Sequence, residues 1–153
     1  MNSPGYVALL ICHALSALIG FGALGATGLF AAKARRHPRP LEQESLRRFF
    51  RAGPNLAAAC ILAVPGFGAL LLATGPASDL RAVFPWAGLG LWAIAAACSS
   101  VVTWPAERAL QELFARPGVE LETLRALARR CETGAAIATM CGVAALVLMI
   151  AQV

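Results

Sequence analysis

His13 lies in an uncharged run from Tyr6 to Ala32, and apart from cysteine thiols and the phenol of Tyr6 at the edge of that run it is the one ionisable side chain inside any such run of this chain. An ionisable group surrounded by apolar sequence is a functional-site candidate, because burying it carries a cost that plain packing would avoid. Helical spacing puts Ser16, Ala17 and Gly20 on the same face as His13, a close-packed setting. Three chemistries suit an imidazole there. It can donate a hydrogen bond to a carbonyl or to Ser16 and so join two helices, it can serve as an axial ligand to a b-type haem or a porphyrin metal, or it can carry a proton or bind a metal ion. For a haem, Met149 is the candidate second ligand, since the last apolar run returns it to a depth similar to that of His13. Cys12 adjoins His13 but points about 100° away on a helix, so the pair is poorly placed to hold one metal ion.

The other reactive residues are scattered. Cys12, Cys60, Cys98, Cys131 and Cys141 form no C-x-x-C pair and read as small buried apolar residues. Met1, Met140 and Met149 are soft ligands without the clustered spacing that copper handling favours. Glu132, beside Arg129 and Arg130, reads as one half of an interfacial ion pair. No nucleophile triad, P-loop, dinucleotide glycine pattern or metalloprotease helix is found, so the sequence leans away from an enzyme.

The elements that must position these residues follow from charge. Four stretches, about 6–32, 54–78, 82–106 and 133–153, lack Asp, Glu, Lys and Arg, apart from Asp79 and Arg81 between the second and third. Each is long enough to cross a hydrocarbon layer about 30 Å thick at 1.5 Å per residue. Hydrophobic residues make up 59% of the chain and charged ones 14%, against about 25% charged in soluble domains, so the apolar excess faces lipid. The expectation is all-α: one membrane domain over residues 1–153, a transmembrane four-helix bundle. Lys33, Arg35, Arg36, Arg39, Arg47, Arg48 and Arg51 lie between the first two spans, and Arg108, Arg116, Arg125, Arg129 and Arg130 between the last two. The positive-inside rule makes both connectors cytoplasmic and puts both termini outside. The first span continues too far to be a secretory leader, and it has no basic flank before it.

Both connectors carry apolar stripes at helical spacing, Leu46, Phe49 and Phe50 in one, and Ala109, Leu110, Leu113 and Phe114 in the other. After a break at Arg116, Pro117 and Gly118 the stripe resumes at Leu121, Leu124, Leu127 and Ala128. Spans two, three and four are therefore expected to extend into the cytoplasm as amphipathic helices, lying on headgroups or packing on each other or on a partner. Pro65 should kink span two unless a neighbour compensates. Trp86 and Trp104 read as interfacial anchors, and Trp92 as packed between helices. Gly20, Gly22, Gly25 and Gly28 make span one the expected close-packing helix, through which a homodimer or a larger membrane complex would form. An offset of 78 residues lays Glu44-Ser45-Leu46-Arg47 over Glu122-Thr123-Leu124-Arg125, which would relate two hairpins as parallel repeats.

His13 followed by G-F-G-A-L-G-A-T-G and A-K-A-R-R resembles a bacterial family of small four-span integral membrane proteins of unknown function, and Pro65, Gly66, Gly68, Ala73-Thr74-Gly75 and Pro105 to Arg108 fit the same pattern. That resemblance implies a multi-pass protein of the bacterial inner membrane. The first-helix histidine is also distantly similar to copper-resistance D-type membrane domains and to HemJ-type protoporphyrinogen oxidases. The second likeness implies a haem-linked histidine at His13, whereas the lysine that family uses in its third span has no counterpart, the one lysine being Lys33. The expected role is a non-enzymatic or accessory component of a membrane assembly, with haem or porphyrin at His13 as its sharper form. A haem-dependent oxidoreductase and a small transporter are the alternatives.

Overall fold

A computed structural model describes residues 3–37, 39–76, 82–116 and 120–151. Met1, the expected Asp79 to Arg81 loop and the Pro117 and Gly118 break lie outside these described residues. Four helices are long and apolar enough to cross a membrane, and only 11 to 17% of their most apolar windows is buried within the protein, so the greater part of their surface faces outward to lipid. The fold is the expected all-α four-helix membrane bundle.

Helix α1 (Pro4–Arg36) begins where Ser3 Oγ accepts from the Tyr6 amide at 3.3 Å with Pro4 in the first turn, and it ends with Lys33, Arg35 and Arg36 against the negative end of its dipole. A short helix α2 (Glu44–Phe49) follows. Helix α3 (Leu56–Thr74) is capped by Asn55 Oδ1, which accepts from the Ala58 amide at 2.9 Å. The third span is continuous over Val83–Ala115 and consists of α4 (Val83–Cys98), one π-helical stretch (Ser99–Thr103) and α5 (Trp104–Ala115). Helix α6 (Leu121–Ala151) completes the bundle.

Helix α1 is the centre of the packing, lying against both α3 and α6, while α6 also holds α4; α3 and α4 barely touch. At 1.5 Å per residue, α1, the α4–α5 helix and α6 are each about 50 Å long and overrun the hydrocarbon by roughly 20 Å at the basic end. Extensions therefore arise from spans one, three and four, a correction to the expectation of two, three and four. Span two is cut off from α2 because Pro54 lacks an amide donor and disfavours helical geometry at Gly53.

These overrunning ends pack on each other. Ala31, Ala34, Leu46, Phe50, Ala106, Leu110, Phe114, Leu124, Ala128 and Cys131 form one buried cluster, fed by α1, α2, α5 and α6. Phe30 stacks on Phe49 with ring centroids 4.0 Å apart, and Phe50 stacks on Phe114 at 5.2 Å. Just above this cluster, and outside the uncharged stretches, Arg35 Nε donates to Glu132 Oε2 at 2.7 Å and Arg35 Nη2 to Oε1 at 3.3 Å. That two-point hydrogen bond holds the Glu132 carboxyl below the usual carboxylate range. The expected ion pair of Glu132 thus forms, with α1 as its partner instead of Arg129 and Arg130 on its own helix.

The suggested repeat has structural counterparts. Helix α1 and the helix Val83–Ala115 are both 33 residues long, and the matched Leu46 and Leu124 are both fully buried in the same cluster. The two halves still pack unequally, since α1 lies firmly on α6 whereas α4 hardly meets α3.

Candidate functional site

His13 sits on the face of α1 that packs on α3. Its Nδ1 lies 3.0 Å from the Val64 carbonyl oxygen, and its ring edge lies against Gly68, where an added Cβ would stand 3.4 Å from Cε1. A carbonyl oxygen only accepts, so Nδ1 carries a proton, and in the neutral ring Nε2 keeps its lone pair. Two turns deeper on the same α1 face, Gly20 is pressed onto α3; a Cβ there would meet Ile61 Cγ1 at 2.8 Å and the Ile61 amide nitrogen at 3.1 Å. Glycine at 20 therefore brings the two backbones together and lets a side chain on α1 reach a main-chain oxygen on α3.

The bond falls beside Pro65, which has no amide with which to close the helical bond to Ile61 four residues earlier. Ile61 O is met instead by the Trp92 indole of α4, whose Nε1 donates to it at 2.8 Å. Trp92 is packed against the mid-bundle cluster of Leu24, Ile61, Ala95 and Ala138, as its depth in the sequence suggests. Two side chains from two other spans thus converge on one turn of α3, the turn that the proline disturbs. A buried main-chain oxygen left without a donor in hydrocarbon would cost several kcal/mol by order of magnitude, which explains why Pro65 is tolerated in mid-span.

The second proline inside a long helix shows the same device. Pro105 cannot supply an amide to Val101 O, and Arg130 Nη2 on α6 donates to that oxygen at 3.4 Å. The π-helical stretch Ser99–Thr103 lies immediately before it. Each π turn inserts one extra residue, which swings the following side chains by about 100° relative to an uninterrupted helix. Trp104 consequently departs from the anchor expected of it. Its ring turns in against the mid-bundle cluster, and its Nε1 is buried without a hydrogen-bond partner among the described residues. Trp86 is 57% exposed, as an interfacial anchor requires.

Met149 is 39% exposed on α6, and the hydrogen bond and close contact of the His13 ring run to α3. Cys12 is exposed and directed away from the ring partners of His13. Among the described residues no group of three His, Cys, Asp or Glu side chains converges as a metal site. The glycines of α1 are largely engaged within the chain. Gly20 faces Ile61, Gly25 faces Thr139 and Gly28 faces Ala135, whereas only Gly22 has open space around it. The glycine face therefore binds α3 and α6 of its own chain and is not free for a partner, which corrects the expectation that association would use it.

Sequence reasoning had the histidine and the proline but not their joint target. The one signal that could have found it is the rule that a proline in mid-helix orphans the carbonyl four residues back, which points to Ile61 O but was not followed to that atom. No family model, curated protein or solved structure matches this chain significantly.

Proposed function

We propose that this chain is a non-enzymatic, accessory component of a membrane assembly in the bacterial inner membrane, with both termini outside and the basic connectors cytoplasmic. The observation that supports it is the use of the intramembrane polar groups: His13 and Trp92 are committed to the backbone of α3 around Pro65, which makes them ties between spans. The distribution of arginines supports the orientation. Association as a homodimer or within a larger complex would use a side other than the α1 glycines, such as that of α3 and α4, where Gly66, Gly88 and Gly90 have nothing within 4 Å of an added Cβ.

A second reading is favoured by one specific feature. Histidines that ligate metals commonly donate the other ring N–H to a carbonyl, which fixes the tautomer and aims the free nitrogen, and His13 has that arrangement with Nε2 left over. A b-type haem or porphyrin would then take one axial ligand from His13. The second would come from Met149 or from a second copy of the chain.

The His13→Asn and His13→Leu variants separate the readings, because asparagine keeps a donor near the position of Nδ1 and loses the ring nitrogen that would bind iron. For the accessory reading, detergent-purified protein supplemented with haem is expected to show no Soret band. His13→Leu should then lose about 1 kcal/mol of stability while His13→Asn recovers most of it, read by thermal melting. A Soret band in the unaltered protein that His13→Asn abolishes would replace this reading with the haem one.

A further inference from the structure

At the basic end, a recess of about 590 Å³ opens between α2, the segment leading into α3, and α5. That volume falls within the range typical of small-ligand sites, about 300 to 1,000 Å³. Arg47, Arg48 and Arg51 line it together with Glu44 and Gln111, and the base is formed by Phe50 and Phe114. The two rings stack at 5.2 Å with an interplanar angle of 7° and are only 1% and 7% exposed. Leu46, fully buried, fixes α2 from the same side. Arg47 and Arg48 are thus rooted on a helix whose apolar face is locked into the core, and Arg51 directly follows the buried Phe50 just past its end, so the spatial arrangement of their Cα atoms is set before any ligand arrives.

Their charges are poorly compensated. Arg48 faces Glu44 at 3.9 Å, with both side chains more than three-quarters exposed, a pair that solvent largely screens. The other acidic partners are engaged elsewhere: Glu42 with Arg39, Glu112 with Arg116, Glu122 with Arg125, and Glu132 with Arg35 and Arg36. Arg47 and Arg51 have no ion pair among the described residues. Three guanidinium groups against one carboxylate leave the recess with two uncompensated positive charges, and like charges held this close repel each other. A dianion offsets that repulsion, and the planar guanidinium fork matches phosphate oxygens two at a time.

We propose that this recess is a binding site for a phosphomonoester dianion, held by Arg47, Arg48 and Arg51, with the Gln111 amide as a neutral donor. A phosphodiester, with one charge, matches the site less well. The site is independent of the role of His13. Counting from Trp104 near the end of the third uncharged stretch, Gln111 and Ala115 lie roughly 10 to 16 Å along the helix, which places the recess at the outer boundary of the headgroup layer. A phosphatidic-acid headgroup reaching out of the bilayer and a phosphate free in solution present the same chemistry there.

The test uses the full-length protein in two arms. In detergent, binding of inorganic phosphate is titrated by calorimetry at constant ionic strength. In the second arm, the protein is titrated with vesicles of phosphatidylcholine containing either phosphatidic acid or phosphatidylglycerol at matched surface charge. Arg47→Gln combined with Arg51→Gln is expected to weaken the dianionic probe about tenfold or more, because two charge-assisted contacts are lost. Arg39→Gln with Arg116→Gln removes the same charge elsewhere and should leave affinity within about twofold. A phosphate response identifies a soluble ligand, and a preference for phosphatidic acid without a phosphate response identifies the lipid; either supports the site. Equal weakening by the two double variants, or no preference of the unaltered protein for either dianionic probe, overturns it. All four substituted side chains are exposed, and circular dichroism of the variants confirms that helix content is kept.

Discussion

Gly134→Val is expected to destabilise the protein by about 3 kcal/mol, at the upper end of what overpacking a close contact costs. A Cβ at position 134 would stand 2.6 Å from Thr103 Oγ1, 3.0 Å from Val102 Cγ1 and 3.2 Å from Val102 Cβ. Thr103 is fully buried and Val102 Cβ is one bond from the main chain, so neither can step aside without moving the helix. The substitution therefore pushes the π-helical stretch away from α6, and with it the turn where Arg130 reaches Val101 O. Inside the bilayer no hydrophobic effect drives the helices back together, since lipid is as apolar as the side chains, and lost close packing is not recovered. Gly22→Val is the internal comparison, because nothing lies within 4 Å of a Cβ there. Thermal melting in one detergent should show a large drop for Gly134→Val and little for Gly22→Val. Equal melting temperatures would mean that the π-helical stretch and α6 are not in close contact at Gly134.

Leu124→Ala should cost a similar amount, about 3 kcal/mol, for a different physical reason. Leu124 is fully buried in the cluster at the basic end, with Leu46, Leu110, Ala128 and Cys131. That cluster lies beyond the hydrocarbon, so unfolding exposes its side chains to water and the hydrophobic effect applies in full. Removing most of the leucine side chain forfeits its transfer free energy and leaves a cavity that stacked Phe50 and Phe114 are too rigidly held to fill. Leu18→Ala, at a side chain of α1 that is itself 70% exposed, should be close to neutral. Unfolding measured by denaturant or heat distinguishes the two. If Leu124→Ala behaves like Leu18→Ala, the extensions lie on headgroups and do not form a core.

The membrane-crossing elements were legible because hydrocarbon imposes a strong, local rule: a span cannot carry ordinary charges, and the chain marks each span by omitting them. The pairing of Glu132 was half legible, its role being readable from position and its partner not, since Arg35 approaches from a helix almost a hundred residues earlier and only the rotation of α1 decides which arginine arrives. The same applies to His13. Its need for a polar partner followed from burial, but the choice of Val64 O depended on how far Gly20 lets α1 sink onto α3. Trp104 was misread because interfacial anchoring assumes an uninterrupted helical register, and the π-helical stretch shifts that register one residue before the ring. Glycine-rich α1 was read correctly as a close-packing helix and wrongly as an outward one, since spacing alone does not say whether the neighbour belongs to the same chain. The arginine recess was not legible at all, because Arg47 and Phe114 meet only once α2 folds back over α5.

Four-fold crossing of the bilayer with both arginine-bearing connectors on one side underlies the whole arrangement, and cysteine accessibility measures it directly. In a background with the native cysteines replaced, Ser45→Cys and Glu112→Cys mark the basic end, and Ser3→Cys and Pro76→Cys mark the opposite one. With a membrane-impermeant maleimide on intact cells, Ser3→Cys and Pro76→Cys should label at once, and Ser45→Cys and Glu112→Cys only after permeabilisation. Labelling of Ser45→Cys and Glu112→Cys from opposite sides, or of all four positions without permeabilisation, would contradict the fold in the membrane described here.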